Sequence, residues 1–242
     1  MTVTSKLDDT LYPPFAGFPP GAMDFFLRLK RNNRRTWFHG HRDEYEELVR
    51  FPMQCLIASL GSRMREVAPE FQFHPTRSIF RIYRDVRFSK DKSPYKTNIG
   101  ASFSIRGRKD PTGAPGLYVG IEPGEIFIGG GLYMPSGPQL KSIRASIAGR
   151  PEEYLGIVRE AKFRRMFKEV LGERLSRAPL GYPPDHPMIE HLRLKQFYVG
   201  RTLGDEACRS PRFVDTVAAA LTGCLPLVRW LDRAVSGGPG KS

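Results

Sequence analysis

Arg81-Ile-Tyr-Arg-Asp-Val-Arg-Phe-Ser-Lys-Asp-Lys-Ser-Pro-Tyr-Lys-Thr-Asn-Ile-Gly-Ala-Ser-Phe-Ser-Ile105 reads as a strand, a long basic loop and a second strand. The second strand is the cleaner one. Ile99, Ala101, Phe103 and Ile105 share one face, while Gly100, Ser102, Ser104 and Arg106 share the other, the two-residue period of a half-buried strand. Before the loop, Ser78–Arg84 alternates Phe80 and Ile82 against Ile79, Arg81 and Tyr83. About a dozen residues separate the two segments, longer than an ordinary hairpin connection, and loops of that length are commonly functional. Phe88, Pro94 and Tyr95 favour an ordered loop.

Outward from this stretch the strand pattern continues. Leu117–Ile121 and Glu125–Ile128 flank Glu122-Pro123-Gly124-Glu125, a Pro-Gly turn between antiparallel strands. Gly129-Gly130-Gly131 is expected to end or bulge the last of these, or to let another backbone approach it closely. Arg193–Leu203 reads as a further strand, for about five in all. Helical spacing flanks the strands on both sides. Gly21–Arg31 carries Met23, Phe26, Leu27 and Lys30 on one face, with Asn32-Asn33 as a left-handed stop. Thr36 is placed to cap a longer helix through Trp37, Tyr45, Leu48 and Val49, interrupted at Pro52 and resuming through Leu56, Ile57, Leu60 and Met64. Downstream, Ser136-Gly-Pro, Arg150-Pro-Glu-Glu and Ser210-Pro each open a helix, the last broken near Pro226. Strands joined by loops, with helices before and after, predict an α+β fold: a mainly antiparallel sheet packed on several helices. The expected organisation is an extended segment over 1–20 pinned by Phe15 and Phe18, one domain over 21–235, and a disordered tail over 236–242.

The 242 residues carry 38 Lys/Arg against 25 Asp/Glu, a net charge of +13. Residues 77–109 hold ten of those cations and two of the anions, so +8 of the excess lies in one segment. Charge this concentrated implies an anionic partner. Cys55, Cys208 and Cys224 are too widely spaced for metal ligation and odd in number, so free thiols in a reducing, cytoplasmic setting are expected. The N-terminus has no apolar core of a signal peptide, and no window is expected to approach the ~18 apolar residues of a membrane span. Neither a membrane partner nor a cofactor or metal is expected.

Within the loop, Arg81, Arg84, Arg87, Lys90, Lys92 and Lys96 supply donors suited to phosphate or carboxylate oxygens, joined by Tyr95 and Thr97. Asp85 and Asp91 are placed to hold Arg or Lys side chains. A second basic patch, Arg31, Asn33, Arg34 and Arg35, precedes Trp37-Phe38, a mixture of cations and aromatics that suits single-stranded nucleic acid. The sequence does not tell whether the two clusters share a face. Acid–base chemistry has only scattered candidates: Asp85, Tyr95, and the Asp185-His186 pair, whose carboxylate is placed to orient the ring. The Ser-x-x-Lys matches at Ser89 and Ser93 lack the helix that such chemistry needs. Three readings stay open. The first is an anion-recognising domain for nucleic acid or a nucleotide-like ligand. The others are an enzyme acting on a phosphorylated or carboxylated small molecule, and an interaction protein docking an acidic partner.

Five blocks together resemble a bacterial and fungal family, number 2461 in the domain-of-unknown-function series. They are Phe15-Ala-Gly-Phe-Pro, Asn32-Asn-Arg-Arg-Thr-Trp-Phe, Arg81 through Thr97, Gly129-Gly-Gly-Leu-Tyr-Met-Pro, and Pro179-Leu-Gly-Tyr-Pro-Pro-Asp-His-Pro. The resemblance covers about residues 14–234 and implies a single-domain intracellular α+β protein. It supplies no catalytic set, cofactor or ligand.

Overall fold

Ala22, Met23, Phe25, Phe26 and Leu29 recur at helical spacing, and in the computed structural model, which describes residues 11–87, 89–105 and 113–237, all five are buried in α1 (Gly21–Arg31). Leu27, expected inside, is exposed. Asp24 in the first turn and Arg28, Lys30 and Arg31 in the last complement the helix dipole. The helix stops at Asn32, but not through the left-handed conformation: its φ is −126°, and its side-chain amide donates to the Arg28 carbonyl at 3.0 Å.

The expected long helix is broken into α2 (Arg35–Gly40), α3 (Arg42–Tyr45), a π-helical turn (Glu46–Arg50) and α4 (Phe51–Met64). Thr36 lies inside α2 rather than capping it, and Arg34 occupies the cap position without a side-chain bond. The widened turn sits where Pro52, early in α4, has no N–H to close the regular ladder.

Four strands, β1 (Ile99–Ser104), β2 (Gly116–Glu122), β3 (Glu125–Leu132) and β4 (Phe197–Leu203), form one open antiparallel sheet in the order β1-β2-β3-β4. The fold is α+β, with four strands where five were expected. The missing one is Ser78–Arg84, which makes only isolated bridges, Ile79 to Ala101 and Tyr83 to Tyr95. Four residues separate these pairs on one segment and six on the other, so two residues bulge between Tyr95 and Ala101 and no continuous ladder forms. Part of the basic hairpin reading falls outside the described residues: Phe88, and Arg106 at the end of the expected strand.

The described residues divide into two compact units. The first takes the chain to Phe103, Tyr118–Ile128 and Thr202–Ala219. Its buried side chains include Phe25, Phe26, Met53, Leu56, Ile57 and Leu60 from the helices and Ala101, Phe103, Val119 and Ile126 from the strands. Phe15 and Phe18 pin the extended N-terminal segment here: both are buried, and Phe18 donates its N–H to the Cys208 carbonyl.

The second unit takes Ser104–Leu117, Gly129–Arg201 and the chain from Ala220. Its helices are α5 (Gly137–Gly149), α6 (Pro151–Val158), α7 (Ala161–Phe167) and α8 (Ile189–Leu192). Ser136 and Gln139 form a reciprocal capping box at the start of α5. Tyr154 is fully buried, its ring 5.1 Å from that of Trp230 and its hydroxyl 3.1 Å from His191 Nδ1.

The three glycines do not end β3, which continues to Leu132. They make room: a Cβ on Gly130 would lie 2.9 Å from the Cys224 Cβ, and one on Gly131 (φ +145°) would lie 2.2 Å from the Phe197 carbonyl oxygen. Nor does Pro226 break the terminal helix, α9 (Phe213–Ser236), which runs through it. This helix is long and apolar enough to cross a membrane, because Asp215 and Arg229 merely punctuate its apolar run; 56% of that run is buried inside the protein. Ser236, expected in the tail, is its last residue, and the remainder of the tail from 238 lies outside the described residues. All three cysteines are free and buried.

Gly131→Ala should lower unfolding stability by at least about 2 kcal/mol in urea titration, since a Cβ there meets backbone that cannot rotate away. Gly156→Ala, in α6 with open space around it, should raise stability by roughly 0.5–1 kcal/mol. A Gly131→Ala protein as stable as its parent would show that the two strands do not approach so closely.

Candidate functional site

Tyr95 is the point at which the basic hairpin is anchored. Its partner Tyr83 faces it as a non-hydrogen-bonded pair: the flanking bonds run from Arg84 N–H to the Pro94 carbonyl (2.9 Å) and from Lys96 N–H to the Ile82 carbonyl (2.8 Å). The N–H and C=O of Tyr95 itself therefore point away from the hairpin, as on an exposed strand edge. Asn33 satisfies both. Its side-chain oxygen accepts from Tyr95 N–H at 3.0 Å, and its side-chain nitrogen donates to the Tyr95 carbonyl at 2.9 Å. The carboxamide acts as a one-residue surrogate strand.

The Tyr95 ring is stacked on Phe38 of α2 (centroids 4.2 Å apart), and Phe38 packs in turn against Phe25 and Tyr45. Tyr95 is 1% exposed, so neither ring nor hydroxyl is available to a ligand as the sequence led one to expect. Burial, with Tyr83 alongside, raises its pKa, and the nearby Arg35 opposes the shift. One basic patch thus lies at the root of the other.

The loop's charges divide into two sets. Arg87 grips Asp85 through two nitrogens, at 3.0 and 2.8 Å, and Arg84 pairs with Asp91. Asp91 also accepts from Ser93 N–H (2.8 Å), and Lys92 donates to the Val86 carbonyl (2.9 Å). Arg84, Arg87 and Lys92, all expected as ligand donors, are therefore occupied in shaping the loop. Both carboxyls are held down to about 2: Asp85 by Arg87, and Asp91 by Ser93 first and Arg84 after it.

By contrast, the side chains of Arg31, Arg34, Arg35, Arg81 and Lys90, all exposed residues, make no hydrogen bond or ion pair among the described residues. The Lys96 ammonium lies 5.4 Å from the Phe80 ring centroid, and its pKa is lowered by burial and then by Arg81. Two like charges are thus held near each other, with Arg81 also within electrostatic reach of Asp85. Thr97 is half-buried in the bulge.

The acid–base candidates fare differently. A carboxyl held near 2 under a two-pronged guanidinium grip is a poor proton acceptor at neutral pH, which removes Asp85. His186 belongs to the second unit, where its Nδ1 accepts from Met188 N–H at 3.0 Å just before α8; no carboxylate orients it among the described residues, and Asp185 is exposed. His186 therefore reads as a helix-start residue. The clamp role of Asn33 was not legible in the sequence, since its partner lies 62 residues away.

Fold and site together define an α+β protein that displays a basic hairpin clamped to a second basic segment. The chain belongs to the conserved hypothetical protein family DUF2461, whose profile matches residues 21–230. No curated protein and no solved structure matches it.

Asn33→Ala should cost about 1–3 kcal/mol, because it leaves two backbone groups of the buried Tyr95 unpaired. The Tyr95 amide should then exchange with deuterium well before those of β1, and unchanged protection would show that the clamp is dispensable. Separately, NMR titration of the Asp85 and Asp91 carboxyls should give midpoints near 2. Because both folded-state values are depressed, the stabilisation from these pairs is complete above the ordinary carboxyl value near 4 and is lost as pH falls through about 2. Midpoints near 4 would mean that the loop's ion pairs do not persist in solution.

Proposed function

We propose that the two basic segments work as one anion-recognition surface and that the ligand is nucleic acid or a nucleotide-like phosphate compound. The Asn33 clamp carries this reading, because it ties the exposed Arg34 and Arg35 to the hairpin that displays Arg81 and Lys96. Guanidinium groups of this kind offer planar pairs of donors to phosphate oxygens. The neighbouring charges of Arg81 and Lys96 support the same reading, since an anion beside them would relieve their repulsion. The division of the loop's cations supports it as well. The occupied ones, Arg84, Arg87 and Lys92, fix the loop's shape, and the side chains of Arg81 and Lys90 keep their donors for a ligand.

The reading sets apart residues that the sequence groups together. Fluorescence anisotropy with a labelled oligonucleotide at two salt concentrations should give affinity falling with salt, at a log–log slope of about 0.7–0.9 per phosphate contacted. Replacing both Arg34 and Arg35 by Ala should remove about that much slope for each. Arg87→Ala, which loses a cation already held by Asp85, should leave the slope unchanged. Absence of binding even at the lower salt overturns the proposal.

A further inference from the structure

Tyr83 is 52% exposed, an unusual state for an aromatic residue flanked by Arg81 and Arg84. Arg81 and Tyr83 are both exposed on either side of the buried Ile82. The Tyr83 ring is also supported from behind. Its centroid lies 5.4 Å from that of Tyr95, which rests on Phe38, which packs on Phe25 and Tyr45. A column of rings runs from the core to the surface and ends in Tyr83. Cations accompany the column: Arg35 is near enough to Tyr95 to oppose its pKa rise, and the exposed Arg81 and the half-exposed Arg84 lie within two residues of Tyr83 in the chain.

An aromatic face set among cations and held rigidly from below matches what single-stranded nucleic acid requires: a flat platform for an unpaired base, with donors for the phosphates beside it. Duplex nucleic acid keeps its bases stacked inside and offers no free base face to such a platform. We infer that the surface selects single strands over duplexes, with Tyr83 as the base-stacking residue. This rests on the anion-recognition reading above and adds the class of nucleic acid and the residue that reads it. The sequence had put Tyr95 forward for this surface. Burial gives that role to its cross-strand partner.

The test uses four probes of equal phosphate number with the intact protein at low salt: single-stranded DNA, single-stranded RNA, duplex DNA, and an abasic single strand that keeps its phosphates but lacks bases. The parent should bind both single strands more tightly than the duplex or the abasic strand. Tyr83→Ala should weaken single-strand binding about tenfold, leaving the salt slope and the duplex and abasic affinities unchanged, and Tyr83→Phe should restore it. Thermal unfolding of each variant, expected to match the parent because the ring is half exposed, checks the fold. If the parent binds all four probes alike and Tyr83→Ala alters none, the stacking inference falls and anion recognition stands. If Tyr83→Ala weakens all four equally, Tyr83 acts through the loop's shape and the inference is likewise overturned. If the parent binds none, both readings fall.

Discussion

The pairing of one side-chain carboxamide with one backbone position, Asn33 with Tyr95, is the constraint on which the basic surface depends. The hairpin it anchors has no regular ladder, only two bridges separated by a two-residue bulge. Without a partner the outward N–H and C=O of Tyr95 would have to be hydrated, and the residue could not be buried as it is. Asn is the one residue type at position 33 that meets both demands. Asp lacks the donor, and Gln reaches too far for the same flat, two-bond contact. Burial of Tyr95 then puts its ring under Phe38, and the aromatic column that follows fixes where the hairpin leaves the helices.

A loop with many like charges would ordinarily be loosened by their repulsion. This one uses its two carboxylates where they do most. Asp85 and Asp91 each take an arginine from the same short segment, and each also accepts from a backbone N–H, Arg87 for one and Ser93 for the other. The carboxylates act as local turn formers as well as counter-ions. These exposed pairs add little to global stability. Their effect is conformational, since they decide which cations are engaged within the loop.

How much of this could be read in advance depends on how local the cause is. The bounds of α1, the helix start at Ser136 and the Pro-Gly turn between β2 and β3 follow from residues a few positions apart, and they were legible. Gly124 at φ +88° after Pro123 is what such a turn demands. Ser78–Arg84 has the alternation of a strand, but its backbone bends at Ile82 and the partner segment inserts two residues, and no pattern within 78–84 records that. Pro226 does not break α9 for a related reason, and of the readings open for the glycine run it is the close approach that holds. Whether a proline bends a helix or a glycine ends a strand is decided by what packs against it, such as Cys224 and Val228 on Gly130. At the site, charge located the segment, but nothing local could say that of the facing pair Tyr95 would be covered and Tyr83 left half exposed. The stacking of Tyr95 on Phe38, far away in the sequence, decides that.

The bulge beside Tyr95 has a consequence for how this region can change over time. The extra residues fall in bends at Thr97 and Asn98, off the ladder, and each bridge keeps its own pair of backbone hydrogen bonds. The clamp holds one end of the interval and β1 the other, so a change of length between them is taken up by the bends and need not shift the register at either end. The segment next to the basic surface can therefore be resized while the surface stays where the clamp puts it.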